Sequence, residues 1–168
     1  WPVGNYDAAE TLPAFDELVD RGLVDHVGVS NFSTELLDEA MDHLDSPLFA
    51  HQAETHPLLQ QDDLVAHAQE HDYHHVAYSP LARGRVFELA EVTEIAEKHD
   101  ASAAQVSLAW LLSRENVSVV PKATGEAHIR DNLGALDLEL DEEDVERIRD
   151  IERRERFVER DGAPWQER

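Results

Sequence analysis

The chain has 168 residues and a mass of 19.0 kDa, which is enough for one domain with a core of its own. It contains no cysteine, so a disulfide framework, a thiolate metal site and a cysteine nucleophile are all excluded. Acidic residues outnumber basic residues by 37 to 14, and the formal charge of −23 argues against nucleic acid and anionic membranes as partners.

The acidic residues are spread along the whole chain and coexist with regular apolar periodicity, which argues against disorder. A halophilic surface explains this pattern, because 1 M salt screens charges over roughly 3 Å and so removes their mutual repulsion. We therefore expect a cytoplasmic protein from a high-salt cell. The sequence begins at Trp1 without a signal-peptide pattern, and we expect it to be a fragment of a longer protein.

Short runs rich in β-branched residues alternate with longer amphipathic stretches, which is typical of repeated βα units around a parallel sheet. The predicted strands are residues 25–29, 49–54, 75–78 and 117–120. No glycine-rich or serine-rich linker interrupts them, so we expect a single domain over residues 1–168. Four such units fit either an open doubly wound sheet or half of an eight-stranded barrel, and periodicity does not separate these two folds.

Helices are predicted between and after these strands. The first begins near Thr11, carries Pro13 in its first turn and stops at Gly22, which suits the left-handed position after a helix. Ser102 and Gln105 form a capping box that leads into an apolar helix, and we expect this helix to be the most buried. Further helices are predicted after Ser33, over residues 60–71 and 126–133, and after Asp141. The charged C-terminal tail, residues 153–168, is expected to be irregular.

The working face of either architecture lies at the carboxyl ends of its strands. Polar side chains stand at these ends, namely Ser30, Asn31, Gln52, Glu54, Tyr78, Ser79 and Lys122. Short hydrogen-bonding groups suit a planar amide, a tyrosine ring suits stacking, and a lysine suits phosphate. Taken singly, such an asparagine also caps turns and such a tyrosine also belongs to cores. Taken together, these residues point to a nicotinamide nucleotide.

The sequence also raises two other chemistries, metal binding and hydrolysis. His67 and His71 lie one helical turn apart and raise the question of a metal site, but a catalytic zinc needs three convergent ligands with an orienting shell. We therefore expect His67, His71 and His74 to be solvated surface residues and predict no metal. Glu54 has no evident acidic partner for glycoside hydrolysis, and the strand-end serines lack a nucleophile elbow and a histidine base.

Five motifs follow one another along the chain: Val-Gly-Val-Ser-Asn-Phe-Ser at 27–33, Gln-Ala-Glu-Thr-His-Pro at 52–57, Ala-Tyr-Ser-Pro-Leu-Ala-Arg-Gly at 77–84, Ala-Gln-Val at 104–106 with Trp110, and Val-Pro-Lys at 120–122. In this order they resemble the aldo-keto reductase superfamily over almost the whole chain. The segment 156–165 resembles the bacterial type that reduces 2,5-diketo-gluconate and other small carbonyls. The resemblance implies a (β/α)₈ TIM barrel, of which this chain looks like the C-terminal half, strands five to eight.

The resemblance also implies an extended NADP(H) cofactor that is bound without a Rossmann motif, and the chain contains no G-x-G-x-x-G. Carried over by position, Ser30, Asn31 and Gln52 would hold the carboxamide of the cofactor. Tyr78 would stack on its nicotinamide ring.

The remaining cofactor contacts implied by the family fall later in the chain. Ser79 and Leu81 would begin the loop that covers the pyrophosphate, and Lys122 would meet the adenosine 2′-phosphate. Asp131 and Asn132 would flank the adenine. Each of these assignments matches a motif position of the family.

Two positions near Lys122 depart from the family pattern. The family often has a serine directly after this lysine and an arginine six residues beyond it, where this chain has Ala123 and His128. Thr124 and Arg130 are candidates to compensate. We therefore expect a preference for NADPH over NADH by a reduced margin.

The family's four catalytic groups have no counterpart in the chain: a tyrosine acid, a lysine that lowers its pKa, an aspartate paired to that lysine, and an orienting histidine. The resemblance thus implies a parent enzyme that reduces small aldehydes, ketones or keto-sugars, with this half supplying cofactor binding and pairing with a missing N-terminal half. The alternative is a non-catalytic cofactor-binding or interaction module, derived from a truncated or decayed reductase.

Overall fold

The structure, a computed structural model, describes residues 1–166. Within these residues, helices and strands alternate in the order α1 (Ala8–Asp20), β1 (Val27–Ser30), α2 (Thr34–His43), β2 (Leu48–Glu54), α3 (Asp62–Glu70), β3 (His74–Tyr78), α4 (Ala90–Lys98), α5 (Ala103–Leu112), β4 (Val117–Val120), α6 (Glu126–Leu133) and α7 (Glu142–Arg149). The strands form one sheet in the order β1-β2-β3-β4, with β1 parallel to β2. The prediction of an α/β fold with a parallel sheet is confirmed.

The predicted strands agree with the observed strands to within two residues. β4 has the predicted bounds, whereas β1 begins at Val27 because the two residues before it are exposed and outside the ladder. The pairing of β1 with β2 slips between Val27 and Gly28. A Cβ atom at Gly28 would lie 2.7 Å from the carbonyl oxygen of Ala50, so the close approach of the two strands requires glycine here.

Two predicted helix starts are wrong for local reasons. Helix α1 begins at Ala8 rather than near Thr11, because the carboxylate of Asp7 accepts a hydrogen bond from the Ala9 N–H at 3.0 Å and caps the helix. Pro13 therefore lies inside the helix and not in its first turn. Helix α3 begins at Asp62 rather than at residue 60, because Gln61 has a φ of 51° that a helix cannot contain.

Helix α4, Ala90–Lys98, was not among the predicted helices. Leu89 caps it without a side-chain hydrogen bond, so the sequence carries no capping signal at its start. A 3₁₀ segment, Ala82–Glu88, precedes it and contains two left-handed residues, Arg83 and Gly84.

The chain forms two compact units, and the prediction of a single domain stays a prediction. Among the described residues, the first unit comprises Trp1–Ala53, Asp62–Val76 and residues 158–166. Its core joins α1, α2 and α3 through buried apolar side chains, among them Leu12, Leu37 and Ala68. Burying each of the larger side chains, such as leucine, contributes about 1.5–3 kcal/mol to the free energy of folding.

The second unit comprises Glu54–Gln61 and Ala77–Phe157. Helix α5 lies in its core with eight of its ten residues buried, which confirms the prediction for this helix. Its capping box is also confirmed: the Gln105 N–H donates to Ser102 Oγ at 3.1 Å, and the Ser102 N–H donates to Gln105 Oε1 at 2.8 Å. Helix α6, by contrast, has no buried residue.

The predicted C-terminal tail carries one short 3₁₀ turn, Pro164–Gln166, and is otherwise irregular as far as residue 166. Its last two positions, 167 and 168, lie outside the described residues. None of the helices within residues 1–166 is both long enough and apolar enough to cross a bilayer.

Candidate cofactor site

Three of the predicted site residues lie together in the first unit, where β1 and β2 end. Ser30 pairs with Gln52 in the register of the two strands. The backbone N–H of Asn31 donates to the Gln52 carbonyl oxygen at 2.8 Å, and Asn31 adopts a left-handed φ of 63°. Asparagine tolerates this conformation better than most residues. Ser30 and Gln52 are half-buried, whereas Asn31 is buried.

A buried histidine, His51, holds this turn through a hydrogen bond. The backbone N–H of Phe32 donates to His51 Nε2 at 3.1 Å, which requires that nitrogen to carry no hydrogen. Burial, together with the nearby His75 and His67, lowers the pKa of His51 to about 3. The neutral imidazole is thus a fixed acceptor that holds the chain directly after Asn31.

Three further predicted residues lie in the second unit, at the end of β3. The backbone carbonyl of Tyr78 accepts a hydrogen bond from the Thr55 N–H at 3.2 Å, and its ring is half-buried. Burial, together with the Glu54 carboxylate, raises the pKa of Tyr78 to about 12, so the phenol stays neutral. A neutral, half-buried ring can stack on a planar ligand.

The chain turns sharply after Tyr78. Ser79 has a φ of 51°, and its carbonyl oxygen accepts a hydrogen bond from the Ala82 N–H at 2.8 Å. Leu81 lies inside this turn and is half-buried. A left-handed serine costs roughly 1 kcal/mol or more, and such strained residues cluster at binding sites.

Glu54 connects the end of β2 to a distant part of the second unit. It is fully buried, and its Oε1 atom lies 3.3 Å from His56 Nε2 and accepts a hydrogen bond from the Phe157 N–H at 2.9 Å. Arg156 lies 3.8 Å from its other oxygen. The sequence indicated Glu54 as a strand-end residue, but no local signal pointed to Phe157, because 103 positions separate the two.

The last three predicted residues lie around α6 in the second unit. Asp131 accepts a hydrogen bond from the Ser102 hydroxyl at 2.8 Å, which ties α6 to the start of α5. Asn132 lines a cavity of about 440 Å³ that also borders Pro121 and Ala123. Lys122 is exposed, and no side chain within residues 1–166 forms an ion pair with it.

The prediction that His67 is a solvated residue is wrong. Its side chain is only 9% exposed, because Tyr73 and Asp38 contact its two ring nitrogens at 2.9 and 3.1 Å. His71 and His74 are exposed as expected. The spacing of His67 and His71 in the sequence placed them one helical turn apart. It gave no indication of Asp38, which lies on α2.

The comparison with known proteins settles the class. Residues 1–153 match the aldo/keto reductase family. The chain is 34% identical to methylglyoxal reductase DkgB of Escherichia coli O157:H7 over 165 residues, and 34% identical to glyoxal reductase of Bacillus subtilis strain 168 over 156 residues. The chain therefore belongs to the aldo/keto reductase family, as the sequence motifs indicated.

Solved structures agree with this assignment. A crystal structure assigned as 2,5-diketo-D-gluconic acid reductase B superposes on 97% of the chain with a TM-score of 0.93 and 33% identity. An aldo-keto reductase complexed with NADPH superposes on 92% of the chain with a TM-score of 0.84 and 28% identity. The chain spans 58% and 50% of these two structures, and 61% and 56% of the two curated relatives.

Proposed function

We propose that this chain is the C-terminal half of the (β/α)₈ barrel of an NADP(H)-dependent reductase and that it supplies cofactor binding. The whole protein would reduce small aldehydes, ketones or keto-sugars in the cytoplasm. Two relatives are named for methylglyoxal and glyoxal, and one structural neighbour is a complex with NADPH. The four strands and the share of each relative that the chain covers support its assignment to strands five to eight.

The observation that carries the cofactor proposal is the environment of Lys122. The chain has only two lysines and a net charge of −23. Lys98 forms ion pairs with Asp141 and Asp144 at 2.6 and 2.8 Å, whereas Lys122 has no such pair within residues 1–166. An exposed lysine that lies two residues after the end of β4, with no ion pair among the described residues, suits a phosphate group.

The nicotinamide end of the cofactor is assigned, as the family resemblance implies, to residues at the ends of β1, β2 and β3. We propose that Ser30, Asn31 and Gln52 bind the carboxamide, since hydroxyl and amide groups match its donors and acceptor. Tyr78 would stack on the ring, which its neutral and half-buried phenol permits. Bound NADPH supplies the hydride for the carbonyl carbon, and the role of these side chains is to orient the ring.

The other end of the cofactor is assigned to the turn after β3 and to α6. Ser79 and Leu81 would begin the segment over the pyrophosphate, and the left-handed turn at Ser79 supports this role. Asp131 and Asn132 would flank the adenine, and Asn132 lines a cavity lined mostly by apolar side chains beside the segment that carries Lys122. The donor set thus fits a dinucleotide that carries a 2′-phosphate.

A titration of the chain with NADPH and NADH, followed by the fluorescence of the reduced nicotinamide, tests the assignment. Lys122→Met should weaken NADPH binding by about tenfold or more and leave NADH binding unchanged, because a charge-assisted contact to phosphate contributes about 1.5–3 kcal/mol. Lys98→Met is the matched control and should leave the NADPH to NADH ratio unchanged. Equal weakening of both cofactors by Lys122→Met would remove the 2′-phosphate role from this lysine.

The second candidate function is an interaction module that binds the cofactor but does not catalyse. Apolar side chains that are 48%, 58% and 69% exposed, namely Ile129, Leu133 and Leu136, border the cavity beside α6 and favour docking on another chain. We propose that the partner is the N-terminal half of the barrel. Mixing the chain with that half from a close relative distinguishes the candidates, because restored NADPH oxidation with methylglyoxal supports the enzyme and a silent complex supports the module.

A further inference from the structure

One cluster of metal-ligating side chains in the first unit belongs to no part of the proposed cofactor site. His67 lies on α3, and His71 follows the end of that helix with its N–H still donating to the His67 carbonyl oxygen at 3.1 Å. Their rings stack with centroids 4.3 Å apart. Asp38 approaches from α2, with its Oδ1 atom 3.1 Å from His67 Nε2. The three ligand atoms all lie within 4.8 Å of one another.

An orienting partner accompanies this cluster. The hydroxyl of Tyr73 lies 2.9 Å from His67 Nδ1, and Tyr73 is only 2% exposed. Metal-binding histidines are usually held in this way through their second nitrogen, which fixes the ring and its tautomer. A merely solvated histidine needs no such partner.

We propose that Asp38, His67 and His71 bind a divalent transition-metal ion, with Zn²⁺ as the best chemical fit. Two imidazoles and one carboxylate are ligands that Zn²⁺ accepts, and they leave a fourth tetrahedral position for water. Ligand atoms of a tetrahedral zinc lie about 3.3 Å apart, given zinc–nitrogen distances near 2.0–2.1 Å. The 3.1 Å between His67 and Asp38 is close to this value. Mg²⁺ and Ca²⁺ prefer all-oxygen ligand sets and fit less well.

Metal binding changes the position of one proton and needs no other reactant. Without metal, His67 Nε2–H donates to Asp38, and Nδ1 accepts from the Tyr73 hydroxyl. With metal, Nε2 becomes the ligand atom, its proton moves to Nδ1, and the Tyr73 hydroxyl becomes the acceptor. The ion would join α2 to α3, so its effect would be to stabilise the first unit. The chain's net charge of −23 favours cations in general.

Zinc titration calorimetry on the tag-free, chelator-treated chain tests this site, with excess Mg²⁺ present to occupy carboxylate clusters. We expect one Zn²⁺ per chain at this site and a higher melting temperature on binding. Asp38→Asn and His71→Gln should each weaken Zn²⁺ binding by about tenfold or more. His43→Gln, an exposed histidine of α2 outside the cluster, is the matched control and should leave the affinity unchanged.

Tyr73→Phe distinguishes a metal site whose ligand His67 is oriented by Tyr73 from two surface histidines that bind metal without such support. It removes only the hydroxyl that orients His67, and it should weaken Zn²⁺ binding by about tenfold while the stoichiometry stays the same. Zn²⁺ binding that tolerates both Asp38→Asn and Tyr73→Phe would overturn the proposal. The absence of binding at about 0.1 mM Zn²⁺, which corresponds to a free energy weaker than about −5.5 kcal/mol, would overturn it as well.

Discussion

Burial sets the pKa of single residues in the sheet, as His51 in β2 shows. His51 has a folded-state pKa of about 3, while an exposed histidine titrates near 6.5. Between these two values the unfolded chain binds a proton that the folded chain does not. The stability that depends on neutral His51 is therefore fully present above pH 6.5 and is lost progressively as the pH falls toward 3.

We expect His51→Gln to flatten this acid-side loss of stability. One proton corresponds to about 1.4 kcal/mol per pH unit, so the slope of the unfolding free energy between pH 6 and 5 should decrease by up to this amount. Urea unfolding at several pH values measures the slope, which is independent of any constant loss of packing in the variant. His43→Gln removes an exposed histidine and should keep the original slope. An unchanged slope in His51→Gln would show that this histidine is not buried in neutral form.

The sequence predicted which residues stand at the strand ends, because strand boundaries and residue types are local information. Asn31 and Gln52 meet as expected for neighbouring parallel strands. The contacts of Glu54 with Phe157 and of His67 with Asp38 were not predictable, because each joins segments far apart in the chain through side-chain geometry alone.

At the scale of elements, the sequence predicts a helix well where a side chain caps its start, and poorly where no such cap exists. The capping box at Ser102 begins α5 and the cap at Asp141 begins α7, as predicted. Helix α4 has no side-chain cap and its sequence does not predict it, while α1 begins three residues before its predicted start because Asp7 caps it. Strand β4 had the correct bounds, since its apolar run begins and ends sharply.

Ser102 has a second role, because its hydroxyl also donates to Asp131 on α6. Ser102→Ala should therefore destabilise the chain more than Ser33→Ala, which removes only the cap of α2. Loss of a cap costs about 1 kcal/mol, and loss of the Asp131 hydrogen bond should add about 1 kcal/mol or more. Urea unfolding of the two variants measures the difference. Equal costs would mean that the contact between α5 and α6 contributes nothing to stability.

At the scale of the whole molecule, net charge should make stability depend on salt. A charge of −23 on 168 residues imposes self-repulsion that dissolved salt screens. We expect the melting temperature to rise continuously from about 50 mM to 2 M KCl, where the screening length falls from more than 10 Å to about 3 Å or less. A chain that is more stable at the low salt concentration would contradict the proposed adaptation to high salt.

The central claim is that the chain is the cofactor-binding half of a larger reductase. The intact mass of the native protein, isolated from its source and measured by mass spectrometry, tests this most directly. We predict a mass well above 19.0 kDa, with the additional residues supplying the tyrosine, lysine, aspartate and histidine of the family's catalytic set. A native mass of 19.0 kDa would contradict the claim and would favour the non-catalytic module.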